Sequence, residues 1–325
     1  MGMELAALGE ILIDFVQAGS NEKGVPVFEA NPGGAPANVC AAFSKLGGKS
    51  SFIGKVGRDA FGLQLRGTLE SLGICVKGLV MANDCPTSLA FVCLDDAGDR
   101  SFTFYRKHCA DTMLRVDQVP EESWNEAGFF HFGSVSLSEE PARSATLGTV
   151  KRAKGRGLLI SYDPNYRSLL YPDADPARKV LLQGLALADI VKVSEEEMEL
   201  LSGNSRLDDG SKWLMEYCGA CLVVVTLGKH GVFYRQGHAH GFLPTFDVPV
   251  VDTTGAGDAF VGSLLYRLRN YSREQIAFLP TEELEEILNF CNAYASLSTT
   301  RYGAIPAMPN EDEVRELMSV GRLLS

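Results

Sequence analysis

The sequence predicts an α/β fold: a parallel sheet flanked by crossover helices, with a small second β-sheet attached. Three observations carry that reading. Short apolar runs at 5–15, 51–56, 128–134, 158–162, 190–193 and 221–227 alternate with helix-like segments, as in parallel sheets joined by helices. Glycines stop those helices: Gly47-Gly48 after 37–46, Gly73 after 59–72 and Gly155 after 141–154. Two stretches break the rhythm, from Phe15 to Asn31 and from Thr87 to Arg106, and the second reads as two strands around Asp95-Asp96-Ala97-Gly98-Asp99. The expected organisation is therefore an α/β core over 1–14, 32–86 and 107–325. Residues 15–31 and 87–106 form a lid sheet over the carboxyl ends of the parallel strands, where ligands of open α/β sheets bind.

Composition narrows the function. With 325 residues the chain is long enough for a large core, and 30 Lys plus Arg against 41 Asp plus Glu give a net charge of −11. That balance argues against a nucleic-acid or anionic-membrane partner. No basic residue precedes Lys23 and no apolar run approaches the length of a membrane span, so the expected location is the cytoplasm. The eight cysteines are dispersed, and Cys40, Cys93 and Cys291 lie in apolar contexts, which suits reduced core thiols. Cys218 and Cys221 form a lone C-x-x-C without a second ligand pair, and His238 with His240 reads as a solvated loop.

The chemistry-bearing motifs fall at strand ends. Asp14 follows Ile11, Leu12 and Ile13, a place where a carboxylate is costly unless paired, yet suited to accept bonds from two hydroxyls. Pro32-Gly33-Gly34-Ala35-Pro36-Ala37-Asn38 leads into a helix, its glycines allowing close backbone approach to a polyol and Asn38 offering a donor and acceptors. Arg167, in Asp163-Pro164-Asn165-Tyr166-Arg167, either neutralises a phosphate, holds substrate or pairs with Asp163. Ser194-Glu195-Glu196-Glu197 reads first as a capping box. Thr226-Leu227-Gly228-Lys229-His230-Gly231 fits a nucleotide contact or a hairpin turn equally.

The most informative stretch is Val251-Asp252-Thr253-Thr254-Gly255-Ala256-Gly257-Asp258-Ala259-Phe260. Pro249 to Val251 suit the end of a buried strand, and Ala259, Phe260, Leu264, Leu265 and Leu268 share one helix face, so Gly255 to Asp258 open a helix. Unpaired N–H groups and the positive end of the helix dipole meet there, and the small residues let an anion approach without any lysine. A carboxylate at such a place adds repulsion unless it accepts a proton, which makes Asp258 a candidate base for phosphoryl transfer. Neither G-x-x-x-x-G-K-[ST] nor a G-x-G-x-x-G after the first strand is present, which excludes a Walker-type site and weakens a nicotinamide-linked dehydrogenase.

Taken together, Asp14, Gly33-Gly34 with Asn38, and the 252–258 run resemble the ribokinase family of PfkB-type carbohydrate kinases, over nearly the whole chain. Phe104-Tyr105-Arg106, Tyr162 to Arg167 and Lys192-Val193-Ser194 are most similar to fructokinases. The resemblance implies a ribokinase-like core with a β-sheet lid, ATP and Mg2+ as cofactors, and phosphorylation of the 6-hydroxyl of fructose. It implies that Asp14, Gly33, Gly34, Asn38, Arg106 and Arg167 hold the sugar, with Arg106 reaching down from the lid. It makes Asp258 the base, Gly255, Ala256, Gly257 and Asp258 the anion hole, and Thr226, Gly228, Gly231 and Asn292 the nucleotide site. Glu197 is implied to reach magnesium through water, although the family's N-x-x-E has Ser194 in place of Asn here. Asp252, Thr254, Ser298, Arg301 and Gly303 match a monovalent-cation region, with K+ the ion implied. The lid implies pairing into a homodimer.

The rivals are a 2-keto-3-deoxygluconate kinase or another sugar or nucleoside kinase of that family, and a non-catalytic sugar-binding regulator. Acid-sugar kinases tend to carry tyrosines where this chain has Ala90 and Phe104, which favours a neutral ketose. An intact Asp258 and glycine run argue against the regulator.

Overall fold

A computed structural model describes residues 4–94 and 100–324. The expected turn at 95–99 lies outside the described residues. The chain runs β1 (Leu5–Leu8), β2 (Leu12–Ser20), β3 (Pro26–Gly33), α1 (Ala35–Lys45), β4 (Ser50–Gly57), α2 (Ala60–Ser71), β5 (Cys75–Ala82), β6 (Leu89–Leu94), β7 (Arg100–Tyr105) and β8 (Phe129–Phe132). It continues through α3 (Ala142–Gly155), β9 (Leu159–Tyr162), α4 (Ala174–Leu185), β10 (Ile190–Ser194), α5 (Glu195–Ser202), α6 (Leu207–Cys218), β11 (Leu222–Thr226), β12 (Val232–Gln236) and β13 (Ala239–Leu243). It closes with α7 (Ala256–Leu268), α8 (Arg273–Ala277), α9 (Thr281–Ser298) and α10 (Glu311–Val320).

Nine strands form the main sheet in the order β13-β12-β11-β10-β9-β8-β1-β4-β5, parallel except for the antiparallel edge made by β12 and β13. Each central strand is apolar on both sides because helices cover both faces. In β8, Phe130 faces a cluster with Trp124, Leu181, Met198 and Leu214, while its neighbour Phe129 faces Val39, Phe43, Leu264 and Leu288. In β10, Val191 and Ile190 divide between the same two clusters. One layer therefore holds α3 to α6, and the other holds α1, α7 and α9, with α7 packed between α1 and α9. That packing brings the starts of α1 and α7 together at the carboxyl edge of the sheet.

The second sheet has four strands in the order β3-β2-β6-β7. Both β excursions supply it, and β2 and β6 pair in parallel, Asp14 opposite Ala90. The apolar run at 5–15, expected as one strand, is two. The chain leaves the main sheet at Gly9-Glu10-Ile11, where Gly34 packs so closely that a Cβ would lie 2.5 Å from the Glu10 carbonyl oxygen. Glu10 Oε1 accepts the Ala35 N–H at 3.0 Å, fixing the bend. Asp14 thus belongs to the second sheet rather than to the end of the first parallel strand.

A further correction concerns Pro249 to Val251, which form no strand. Val250 and Val251 are 62% and 43% exposed, and the Val251 N–H donates to the Thr299 carbonyl instead of to a neighbouring strand. Residues 37–46, 59–72, 141–154 and the helix opened by Gly255 fold as expected, to within about two residues at their ends.

Candidate active site

Two cavities meet at the start of α7. The first, about 400 Å³, lies between the second sheet and the carboxyl edge of the main sheet, with Asp14, Gly34, Asn38, Phe104, Arg167 and Asp258 among its walls. The second, about 340 Å³, is lined by Thr226, Gly228, Gly231, Phe246, Ala256 and Asn292 among others. Thr253 and Gly257 line both. The glycine run is therefore the partition between two cavities, the first the more polar of the two.

Gly255 caps α7 in the left-handed region (φ 78°), and a Cβ on it would stand 2.6 Å from Ala304 Cβ, so both conformation and space call for glycine. Asp258 follows in the first turn, only 6% exposed. Asn38 Nδ2, from α1, donates to its Oδ2 at 2.8 Å, and Asn165 Nδ2 donates to its Oδ1 at 3.1 Å. Burial pushes the Asp258 carboxyl up from 3.8 to about 7, with Asp163 adding to the rise and Asn38, Lys192 and Arg167 opposing it. A carboxylate poised near neutrality is matched to proton abstraction.

The floor of the first cavity comes from the β2–β3 pair. A Cβ on Gly33 would collide with Asp14 Oδ2, so Gly33 makes room for that carboxylate. Burial raises the Asp14 carboxyl from 3.8 to about 6, and Arg167 moderates the rise. Asn38 keeps one buried oxygen, Oδ1, without a partner among the described residues. Phe104 lines this cavity and pairs with Ala90 across β6 and β7, and Ala90 in turn pairs with Asp14 across β2 and β6.

Residues 163–167 form a loop at the carboxyl end of β9 with Asn165 in the left-handed region (φ 44°). The Asn165 N–H donates to Asp163 Oδ1 at 3.0 Å, and Lys192 Nζ donates to Asp163 Oδ2 at 2.9 Å, both members of that ion pair being buried. Asp163 thus pairs with Lys192, and Arg167 is left exposed at the cavity mouth. Glu197 accepts the Tyr166 N–H (2.6 Å) on Oε1 and the Ser194 N–H (2.8 Å) on Oε2, so it caps α5 and pins this loop at once. Sequence reasoning missed Glu10, Asn165 and Lys192 as site residues; Asn165 and Lys192 lay inside motifs already singled out.

On the other side, 226–231 is both a turn and a cavity wall, because it joins antiparallel β11 and β12 while Thr226, Gly228 and Gly231 line the second cavity. Asn292 Nδ2 donates to the Pro244 carbonyl at 3.2 Å, tying α9 to the segment that carries Phe246 and Val248.

Arg106 is a correction. It is 3% exposed and spends all three guanidinium nitrogens on the core: Nε to Asp111 Oδ2 (2.6 Å), one terminal nitrogen to Ser138 Oγ (2.7 Å) and the other to the Val135 carbonyl (3.0 Å). It anchors the end of β7 instead of reaching down from it. The cation region is partly assembled. Asp252 Oδ1 accepts from Thr254 and Oδ2 from the Gly303 N–H at 3.0 Å, joining the two segments. The Ser298 hydroxyl turns back to the Ala295 carbonyl, and the Arg301 side chain, 45% exposed, pairs with Glu313, so neither side chain enters that region.

Comparison with known proteins agrees with this geometry. Residues 3–311 match the model of the pfkB family of carbohydrate kinases. The chain is 43% identical to fructokinase-1 of Zea mays over 98% of both chains. A fructokinase from Xylella fastidiosa solved with bound ATP superposes with a TM-score of 0.90 at 34% identity, covering 98% of this chain and 99% of that one. A double mutant of the Vibrio cholerae O395 fructokinase, with fructose, ADP and potassium ion bound, gives a TM-score of 0.86 at 32% identity over 97% and 98%. The chain belongs to the pfkB family of carbohydrate kinases and is a phosphotransferase acting on a sugar hydroxyl.

Proposed function

We propose that this pfkB-family chain is an ATP-dependent fructokinase that phosphorylates the 6-hydroxyl of fructose. The observation that carries the reading is Asp258, held by two amides in the partition between two cavities, one lined by Asp14, Asn38 and Arg167, the other more apolar and suited to a base. Fructose occupies the first cavity against Asp14, Gly34 and Asn38, with the unpartnered Asn38 oxygen a buried acceptor for a hydroxyl. Arg167 closes its mouth. Phe104 gives the cavity an apolar side near Asp14, with Ala90 pairing with both across the strands, which favours a neutral ketose over an acid sugar.

ATP enters the second cavity along Thr226, Gly228, Gly231 and Asn292 and presents its γ-phosphoryl group at Gly255, Ala256 and Gly257. Asp258 takes the proton as the hydroxyl oxygen attacks, and the helix-start amides meet the charge that develops on the transferred group. The second sheet, as the lid, excludes water that would otherwise compete with the sugar. Among the described residues no three metal-ligating side chains converge, which suits a magnesium ion carried mainly by nucleotide phosphates, with Glu197 ordering one of its waters. Magnesium, when bound, offsets phosphate charge. Asp252, Thr254 and Gly303 are the segment that fits a monovalent cation such as K+.

The outer strands β3 and β7 expose Val25, Val27 and Tyr105 nearby, which supports pairing of two copies through the lid. No helix among the described residues is long and apolar enough to cross a membrane. The test is ADP release from ATP over a panel of fructose, other ketoses, ribose and 2-keto-3-deoxygluconate. Fructose should give the highest kcat/KM; preference for the acid sugar, or no ADP release with any member, refutes the reading.

A further inference from the structure

We propose that Lys192 is a catalytic residue, whose ammonium contacts the phosphoryl group in transfer; this rests on the kinase reading above. Lys192 sits in β10, an interior strand in which Ile190, Val191 and Val193 are buried, and its Nζ lies against the start of α7. A Cβ built on Gly257 would stand 3.0 Å from Nζ and 3.7 Å from Cε. The ammonium therefore covers the bare α-carbon of the one glycine of the run that faces both cavities. Gly257 lacks a side chain at the place where the lysine needs the space. The helix-start motif contains no lysine of its own, and the fold delivers one from 65 positions upstream in sequence.

Ion pairing alone does not account for it. A buried Lys–Asp pair is usually no better for stability than apolar side chains of the same volume. Asp163 Oδ2 is the only hydrogen-bond partner of Nζ among the described residues, although an ammonium has three donors. Burial would lower the Lys192 pKa, but Asp163, Glu197 and Asp258 together hold it above its ordinary value, so the amine stays charged. It is thus no proton donor. The O–P bond to fructose forms as the bond to ADP breaks, the hydroxyl proton goes to Asp258, and Lys192 keeps its protons and stabilises the spreading negative charge. Arg167, exposed at the mouth, lacks this fixed position.

The experiment compares Lys192→Met, Asp163→Asn and the double variant with wild type. Calorimetry measures ADP and adenylyl imidodiphosphate, an ATP analogue with an intact γ-group, without any sugar or turnover. Lys192→Met should weaken the analogue about tenfold more than ADP, and kcat with fructose should fall ~100 to 1,000-fold with the fructose Kd little changed. The double variant, which removes both charges of the ion pair and so does not leave Asp163 buried without its cation, keeps the test open should Lys192→Met not fold, and it should show the same selective loss. Equal weakening of both nucleotides, or a double variant whose turnover matches Asp163→Asn alone, overturns the proposal and makes Lys192 a loop anchor. Wild type that binds nucleotides but releases no ADP with fructose overturns the functional reading instead, while the nucleotide comparison still decides on Lys192.

Discussion

Asp258→Asn tests the base and its environment in one variant. The substitution keeps size but removes the proton acceptor, and a general base typically contributes ~100 to 10,000-fold, so kcat should fall within that range. Stability should change in a pH-dependent way. Moving a carboxyl from 3.8 to about 7 corresponds to roughly 4 kcal/mol between its protonation states. Because the folded value is the raised one, wild type has this stability in full below pH 4 and loses it as pH rises through 7. The variant does not titrate and escapes that loss. Against this, both oxygens of Asp258 accept amide bonds, and an asparagine can accept only one of them, a cost of about 1–3 kcal/mol. Urea unfolding at pH 5 and pH 8 should therefore show the variant gaining on wild type by a few kcal/mol between the two. In wild type, kcat/KM should rise with pH through a midpoint near 7. A stability difference that does not vary with pH refutes the burial argument, and near-normal turnover refutes the base.

Further outcomes follow from the same geometry. Arg106→Ala should destabilise the fold by ~3–5 kcal/mol, read as a lower urea midpoint, by leaving Asp111 buried and unpaired, with the fructose KM following stability instead of changing on its own. Glu197→Gln should lower both the melting temperature and kcat, since one of two backbone N–H groups loses its acceptor; partial recovery of kcat at high magnesium marks the metal-water role, and none leaves only the loop clamp. Asp14, raised to about 6, should lose acceptor strength as it protonates, so the calorimetric Kd for fructose should weaken from pH 8 to pH 5 in wild type and stay level in Asp14→Asn.

Six of the nine main-sheet strands were legible as apolar runs, and burial on two faces leaves few other ways to read 158–162 or 221–227; β5, β12 and β13, which carry Lys77, Arg235 and His240, were not among those runs. The failures share a cause. Residues 5–15 read as one apolar run although Gly9-Glu10 interrupts it at the point where the chain changes sheets; that the interruption is a bend and not a kink within one strand depends on Gly34 packing against Glu10 from 24 positions away. Pro249 to Val251 look like a strand end for the same reason, yet the chain there runs along Thr299 without a sheet neighbour. Arg106 carries the residue type expected of a substrate clamp, and only Asp111, Ser138 and Val135, brought round by the fold, show that its donors are already used.

Within the site, the separate motifs were readable but their electrostatic coupling was not. Asn38 and Asn165 reach Asp258 across 220 and 93 positions, so the fine tuning of the base is a property of topology. The coupling also explains why a carboxylate can work beside phosphates at all. Glu10, Asp14, Asp252 and Asp258 line one cavity together with Lys192 and Arg167, Lys192 fixed by the Asp163 behind it and Arg167 exposed. Burial raises Asp258 and both cations lower it, leaving it close to neutrality instead of permanently protonated. A carboxyl held there can receive a proton from a sugar hydroxyl and release it afterwards, which a fully charged surface aspartate or a fully protonated buried one does poorly.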